Sequence, residues 1–446
     1  MQSHFPYAAY CLLVPVLWAQ TPGKQMTITE CLRRALATHP DVILARAQLA
    51  AASADLTAAF GAYLPTLNLA AGYTRQLNVE GGRSISVGGQ VIRLPVVEPN
   101  TYNLSLTGSY ILFDGFGREG EFQRTQATVA SAEAVLAYAR QRIAAEVIRQ
   151  YMEVLKAERL SELRQRHHEL GQQELQRLRA FVEVGRLSPV DLQAQEAEIA
   201  KREVEWLQAR QHHELAVARL RSLIGMSPTE STHFADPTLS DSITPEAVRA
   251  FRQQWGSFPE ALQRALQQRQ DYLAAQRRVE AARATITAAH SGYFPTLAAS
   301  GGWSWANSAL RDFSQLGRAF IGLQLSAPLF DNFRTNARIQ AAELQLQQAQ
   351  VELEKLRQTI AAELQTALLT VEAIAQQMEA AQRSLRSADS YAGSMRKRLE
   401  LGSITQLEYL AAESQRMTAA VTAVTLHFDF LAAQVQLRFA MGELEP

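Results

Sequence analysis

The chain has 446 residues and a formal net charge of zero, with 44 basic and 44 acidic side chains. A nucleic-acid-binding protein presents at least a basic stripe, so this balance argues against nucleic acid as a partner. The two cysteines, Cys11 and Cys31, are too few for a disulfide framework or a cysteine metal site. No Ser/His/Asp, Cys/His or paired-carboxylate arrangement stands out, so we expect no enzyme activity, no cofactor and no metal.

The first residues have the pattern of an export signal. Tyr7 to Ala19 form an apolar run of signal-peptide length that ends on a small residue. We therefore expect residues 1–19 to be a signal peptide; a buried N-terminal segment is the alternative. Beyond residue 20 no apolar run approaches the ~18 residues of a membrane helix, but strands of a membrane barrel alternate and give a much weaker signal.

The sequence contains an internal duplication. YLPTL at Tyr63 recurs as YFPTL at Tyr293, 230 residues later, and LFDGF at Leu112 recurs as LFDNF at Leu329, 217 residues later. Because the copies are collinear, the repeated unit is large and is not a short solenoid repeat. We expect a first repeat at 20–226, a connector rich in Pro, Ser and Thr at 227–258, and a second repeat at 259–446.

Each repeat contains two segments that alternate between apolar and polar residues. This period of two predicts strands at about 64–75, 101–113, 294–306 and 318–329. A soluble sheet with one face on a core gives the same alternation. The ~10-residue length of the segments and the aromatic residues near their ends favour a membrane barrel. The predicted lipid-facing residues are Leu67, Leu69, Tyr73, Tyr102, Leu104, Leu106, Trp303, Trp305, Ile321, Leu323 and Leu325.

Four strands are too few to close a barrel. Lipid tolerates no open sheet edge, and the smallest spanning barrels have about eight strands, so several chains must contribute. Two chains would supply eight strands and three would supply twelve. A lumen wide enough to hold water favours the larger number, so we expect a homotrimer. The Gly-rich segment 76–100 contains the 13 residues that the first repeat has in excess, and it suits a loop at the exterior end.

Two segments predict helices much longer than a compact domain needs. Residues 117–184 and 332–401 contain few helix breakers, and at 1.5 Å per residue each spans on the order of 100 Å. A seven-residue apolar repeat predicts packing of helix on helix. Its positions in the second copy are Ile339, Leu346, Leu353, Ile360, Ala367, Ile374 and Ala381, with a parallel row at Leu364, Val371, Met378 and Leu385.

Both long helices end at a glycine that precedes a new helix start. Gly185 is followed by Ser188 and Pro189, a capping residue and a proline at the first helical position. Gly402 is followed by Thr405-Gln406-Leu407-Glu408, which has the capping-box pattern. Glycine suits the left-handed residue at a helix C-terminus. These patterns predict two helical hairpin turns per chain, at 184–189 and 401–406.

Three other patterns have competing interpretations. Residues 115–120 spell GxGxxG, but the helix is too long for a dinucleotide-binding unit, so we interpret them as a flexible strand-to-helix transition. The histidine pairs at 167–168 and 212–213 point about 100° apart on a helix, which predicts solvated faces rather than a metal site. The basic run at 396–398 is either a solvated helix end or a positive ring near a channel entrance.

The opening MTITECLRRALATHPD, the duplicated Y-x-PTL and LFD motifs, and the paired VGRLS and LGSIT turns resemble the outer-membrane efflux protein family of TolC-like channels. The resemblance covers nearly all of the chain after residue 19. It implies a fold that is mostly α with membrane β: a trimeric α/β-barrel with four strands and long coiled-coil helices per chain. It also implies an outer-membrane exit duct for efflux or type I secretion, with a periplasmic extension in a Gram-negative envelope.

In that family the hairpin turns meet a periplasmic adaptor protein, which links the channel to an inner-membrane transporter. Carried over by position, the docking residues are Val184, Gly185, Leu187, Ser188, Leu401, Gly402, Ile404 and Thr405. Some members close the entrance with aspartates shortly before the second turn, where this chain has basic residues. The entrance set here is Asp389, Arg396, Lys397 and Arg398, and it favours anions. A soluble coiled-coil scaffold without channel activity is the alternative function.

Overall fold

The computed structural model describes residues 24–77, 84–93, 98–184, 188–227, 232–235 and 254–445, together with Glu230, Val248, Ala250 and Phe251. The predicted signal peptide at 1–19 lies outside these residues. The chain forms two compact units, and each takes segments from both halves of the sequence. We call Met1–His39, Glu146–Ala250 and Ala373–Ala432 the hairpin unit, and Pro40–Ala145, Phe251–Glu372 and Ala433–Pro446 the sheet unit. The division into two repeats and a connector stays a prediction.

Long helices dominate the described part of the chain. The helices are α1 (Ile28–Thr38), α2 (Pro40–Gly61), α3 (Gly117–Glu183), α4 (Pro189–Leu223), α5 (Phe258–Gln268), α6 (Gln270–His290), α7 (Phe313–Leu316), α8 (Arg334–Glu400) and α9 (Gln406–Met441). The strands are β1 (Lys24–Met26), β2 (Thr66–Arg75), β3 (Ser84–Val87), β4 (Gln90–Arg93), β5 (Asn100–Phe113), β6 (Thr232–Phe234), β7 (Thr296–Asn307) and β8 (Arg318–Ser326).

The sheet unit contains one antiparallel sheet with the strand order β2-β5-β7-β8. Directly opposite residues share a face, so the pairs Leu69 with Leu106 and Leu106 with Trp303 form an apolar row. The other face is small and polar. On that face Thr66 pairs with Ser109, and their hydroxyl oxygens lie 2.7 Å apart. The sheet therefore has one face suited to lipid and one suited to water.

The inserted segment 76–100 contains a short hairpin, which the sequence analysis did not anticipate. Strands β3 and β4 pair in antiparallel register around Gly88 and Gly89. These glycines have φ of +66° and +84°, the left-handed values that a tight two-residue hairpin turn requires. Residues 78–83 and 94–97 lie outside the described part of the segment.

Both strand-to-helix transitions use the same turn. Two successive residues have positive φ before α3, Gly115 and Phe116 at +70°, and two before α8, Asn332 at +57° and Phe333 at +60°. Left-handed backbone costs a non-glycine residue roughly 1–2 kcal/mol, less for Asn. The duplicated LFDGF and LFDNF motifs are therefore two copies of one strained turn.

The GxGxxG glycines have a packing role in this turn. A Cβ atom on Gly115 would lie 2.5 Å from the Cβ of Phe294, and one on Gly120 would lie 2.5 Å from the backbone N of Ala288. The carboxylate of Asp114 accepts the backbone N–H of Arg118 at 2.9 Å, which caps α3. The motif thus brings α3 close to the end of α6, and the defined turn geometry replaces the flexible transition that we expected.

The predicted heptad forms the buried side of the long helices. Both α3 and α8 have 67 residues. Their most buried heptad positions, each no more than 8% exposed, are Leu136, Ile143, Ile339, Ile360, Leu364, Ala367, Val371, Met378 and Ala381. Burial of an apolar side chain stabilises the fold by roughly 1.5–3 kcal/mol for the larger residues. Side-chain packing along the seam, rather than helix propensity, therefore holds these helices.

The hairpin unit has its core around Tyr151. This side chain is fully buried, its ring meets Phe234 edge-on at 6.1 Å, and its hydroxyl donates to the carbonyl of Met26 at 3.1 Å. Met26 and Phe234 are also partners in the parallel pairing of β1 with β6. The start of the described chain is thus joined to β6, a strand of the predicted connector.

Helix α9 is the one described helix that is long and apolar enough to cross a membrane by length and composition. The sequence analysis did not expect such a segment. Its Phe430 and Leu437 are fully buried against the chain, as they are in the core helix of a water-soluble domain. Composition alone therefore does not make α9 a membrane helix.

Candidate functional site

The first hairpin turn joins α3 to α4. Val184 is 67% exposed at the end of α3. Ser188 caps α4, because its Oγ accepts the backbone N–H of Val190 at 3.2 Å. Gly185 and Leu187, two of the predicted docking residues, lie outside the described residues. The described part of this turn therefore contains an exposed apolar side chain and a capped helix start.

The second turn joins α8 to α9 and is described in full. Gly402 has φ of +70°, its N–H donates to the carbonyl of Leu399 at 2.9 Å, and the N–H of Ser403 donates to the carbonyl of Arg398 at 2.9 Å. This pair of hydrogen bonds is a Schellman motif, which ends a helix on a left-handed glycine. Leu401, the residue before Gly402, is 83% exposed.

A capping box starts α9. The carboxylate of Glu408 accepts the N–H of Thr405 at 2.7 Å, and the Oγ1 of Thr405 accepts the N–H of Glu408 at 3.3 Å. These hydrogen bonds to the charged form hold the pKa of Glu408 below its usual value. Ile404, beside the cap, is half-buried. The second turn is thus hydrogen-bonded on both sides of Gly402, which gives a rigid surface.

Four exposed apolar side chains form what we call the tip quartet, Val184, Val190, Leu401 and Leu407. They are 67%, 69%, 83% and 71% exposed. Val190 and Leu407 are the second residues of α4 and α9 and were missed by the sequence analysis. The signal was available, since both are apolar and hold equivalent positions after the two caps. Exposed apolar clusters of this kind mark interaction surfaces.

The predicted entrance residues lie on α8, ahead of the second turn. Asp389 is 3.6 Å from Arg416 of α9, whose guanidinium also binds Glu413 at 2.6 Å. Burial opposes ionisation of Glu413, but the hydrogen bonds from Arg416 outweigh it and lower the pKa of that carboxyl. Asp389 is therefore held in an ion-pair network and does not stand alone.

The three basic entrance residues are all exposed. Arg396 forms an exposed i,i+4 ion pair with Glu400 at 3.5 Å. Among the described residues, Lys397 and Arg398 have no ion pair within 4 Å, so their charges are available to mobile ions. Together with Asp389 and Glu400 they leave this stretch with a small positive excess.

The interpretation of the histidine pair at 167–168 was wrong. His167 and His168 are 5% and 6% exposed, and His168 stacks on Trp206 at 5.7 Å. Burial, with the nearby Arg202 guanidinium, lowers the pKa of His167 to about 4. Spacing along one helix indicated which way the rings diverge, but not that α4 and α9 pack over them. His212 of the second pair is 55% exposed and bonds Glu153 at 3.1 Å.

The strand register places all eleven predicted lipid-facing residues on one face of the sheet. Ile321, Leu67 and Leu323 are 91%, 74% and 72% exposed. Trp305 is the exception, because it is 2% exposed under the ring of Phe313, whose centroid lies 4.2 Å away. The connection between β7 and β8 folds over this part of the face. Trp305 is therefore covered by the chain itself, and Phe313 presents apolar surface in its place.

The chain belongs to the outer membrane efflux protein family, which matches residues 31–226 and 261–443. The outer membrane protein TolC of Vibrio cholerae is 22% identical over 446 aligned residues, which cover 99% of this chain and 94% of that protein. The cation efflux system protein CusC of Escherichia coli K12 is 30% identical over 182 residues, covering 40% of this chain and 39% of CusC.

The solved structures show the same fold. The crystal structure of VceC from Vibrio cholerae matches with a TM-score of 0.77 and 20% identity, covering 93% of this chain and 96% of that chain. The resemblance inferred from the motifs and the mostly helical, duplicated α/β-barrel class are thereby confirmed. The family and these neighbours are channel proteins rather than enzymes.

Membership defines the class of protein. The chain is an outer-membrane exit duct with a periplasmic extension. Family members are homotrimeric and work with adaptor and inner-membrane pump partners. A soluble scaffold, the alternative from the sequence, does not agree with this membership.

Proposed function

We propose that three copies of this chain close one twelve-stranded barrel. In the described residues, β2 and β8 are the edges of a four-stranded sheet, and each pairs on one side only. Because a sheet in lipid cannot leave an edge unpaired, each β2 requires β8 of a neighbouring copy. Three copies enclose a lumen lined by the small polar face. Two open edges on a sheet with one apolar face are the observation that carries this proposal.

The hairpin turns are the surface that a periplasmic adaptor protein contacts. The predicted docking residues Val184, Gly185, Leu187, Ser188, Leu401, Gly402, Ile404 and Thr405 belong to these turns. Support comes from the tip quartet, since each large apolar side chain buried by a partner contributes roughly 1.5–3 kcal/mol. The Schellman motif and capping box keep the second turn rigid, so little ordering entropy opposes docking. Two turns per chain give six in a trimer.

The duct is passive, and an inner-membrane transporter supplies the energy for efflux or type I secretion. Specificity then belongs to the transporter, because a wet, polar lumen discriminates weakly between solutes. At the entrance, Arg396, Lys397 and Arg398 outnumber Asp389, which is paired with Arg416. Exposed positive charge near a constriction raises the local concentration of anions. We infer that the entrance favours anions.

Planar-bilayer recording of the purified full-length trimer tests the duct and its entrance together. We expect stable conductance steps and a reversal potential that shows anion preference in a salt gradient. Lys397→Glu combined with Arg398→Glu should shift the reversal potential toward cations. Arg166→Glu, at a side chain 76% exposed on α3, is the control and should leave the selectivity unchanged. Absence of conductance would contradict the duct, whereas cation preference in the unmodified trimer would contradict only the entrance assignment.

A further inference from the structure

The connection between β7 and β8 covers part of the apolar face of the sheet. Residues 308–317 include α7, and Phe313 at its start stacks on Trp305 at 4.2 Å and 26°. Gly317 closes the segment against the sheet, because a Cβ atom there would lie 2.5 Å from Nε1 of Trp303. Leu310 and Leu316 point away from the chain and are 68% and 43% exposed. The segment is therefore apolar on both its inner and its outer side.

A cleft of about 390 Å³ opens beside this segment. Its apolar and aromatic lining is formed by Tyr73, Tyr102, Leu104, Trp305, Leu310 and Phe313. The rings of Tyr73 and Tyr102 lie 4.9 Å apart across β2 and β5. The width and chemistry of this cleft suit a hydrocarbon chain, and it lies on the face that the outer membrane contacts.

One polar atom in the lining has no partner. The indole Nε1 of Trp305 is buried, and among the described residues no acceptor lies within hydrogen-bond distance. A buried donor without an acceptor costs roughly 1–3 kcal/mol. A ligand that brings a carbonyl oxygen into the cleft would relieve this cost. Pure hydrocarbon would not.

Arginines stand at the same end of the sheet. Arg75 follows Tyr73 on the same face of β2, and Arg311 follows Leu310. Arg75 is exposed, and the Arg311 side chain is 74% exposed, with Asp312 at 3.6 Å as a competing partner. This end of the sheet is joined by connecting segments and is opposite the end that continues into α3 and α8. In an outer-membrane channel with periplasmic helices it is the exterior end.

We propose that the cleft binds a phosphorylated, multiply acylated glycolipid of the outer leaflet, of the lipid A class. One acyl chain lies between Tyr102 and Phe313, and its ester or amide carbonyl accepts the Trp305 indole N–H. Arg75 and Arg311 bind its phosphates. Two arginines at the exterior rim match a lipid with two phosphates better than a phospholipid with one. The inference rests on the outer-membrane location and not on adaptor docking.

Native mass spectrometry of the purified full-length trimer, titrated with bisphosphorylated hexa-acylated lipid A, tests this assignment. We expect Arg75→Gln combined with Arg311→Gln to weaken binding about tenfold, since each arginine near a charged surface contributes on the order of 1 kcal/mol. Trp305→Phe keeps the ring stack and removes the donor, so binding should weaken several-fold. Phosphatidylglycerol should bind less tightly, and its binding should change little in the arginine variant.

Arg357→Gln, at an exposed helical ion pair with Glu354, is the control and should bind like the unmodified trimer. Both binding variants should keep their heat-modifiable trimer and their conductance, which separates a failed lipid site from a failed duct. The proposal is overturned if phosphatidylglycerol binds as tightly as lipid A, if the arginine variant binds lipid A unchanged, or if the unmodified trimer does not bind it.

Discussion

Leu401→Asp should abolish efflux while leaving the trimer in the outer membrane. The Leu401 side chain is 83% exposed, so the substitution removes little packing within the chain. It places a carboxylate at the centre of the surface that we assign to adaptor docking. Burying an unpaired charge in such an interface costs several kcal/mol, which weakens docking by 100-fold or more, by order of magnitude. Efflux of a transported dye or drug by cells that also contain the adaptor and pump is the measurement.

Leu401→Met is the matched control, because it retains the apolar surface and should keep nearly full efflux. Heat-modifiable migration of both variants verifies that the trimer has formed. Efflux by Leu401→Asp at the level of the unmodified protein would show that this side chain is outside the docking surface.

Arg269→Met should lower the free energy of unfolding by about 3 kcal/mol. The Arg269 side chain is 3% exposed and lies between α5 and α6, where it binds Asp271 and Glu363, each at 2.7 Å. Burial opposes its charge, but these two carboxylates outweigh the effect and raise the pKa of the guanidinium. Methionine preserves the apolar stem and leaves Asp271, itself 14% exposed, without its cation. Glu363 is 45% exposed, so water limits its share of the loss.

The measurement is urea unfolding of the protein in detergent, followed by circular dichroism. Arg357→Met removes an exposed ion pair of 3.5 Å with Glu354 on the same kind of long helix, and should cost at most about 0.5 kcal/mol. Equal losses in the two variants would mean that the buried network around Arg269 adds nothing to stability.

Local rules were sufficient to predict much of the fold from the sequence. A period of two predicted the strands and the common face of Leu67 and Ile321, since side chains alternate along any strand. Glycine and capping residues predicted the turn at Gly402, since a left-handed helix end and an S/T-x-x-E box are local chemistry. Duplication strengthened each assignment, because both copies had to make the same sense.

Features that depend on distant segments were not predicted. Trp305 fits the lipid-facing alternation, but Phe313 of a later connection covers it. His167 looked solvated on its own helix, and burial depends on α4 and α9, which the spacing of histidines does not encode. Val190 and Leu407 were passed over because an apolar residue after a cap is ordinary in a buried helix. Their exposure becomes visible only once the hairpins are placed.

The paired hairpin turns as the adaptor-docking surface are the central claim, and photocrosslinking tests it most directly. A photoreactive phenylalanine analogue would replace Leu401 in one experiment and Leu207, 48% exposed on α4, in another. In cells that contain the adaptor and pump, we expect a strong crosslink to the adaptor from position 401 and little or none from position 207. A crosslink from position 207 with none from position 401 would contradict docking at the hairpin turns.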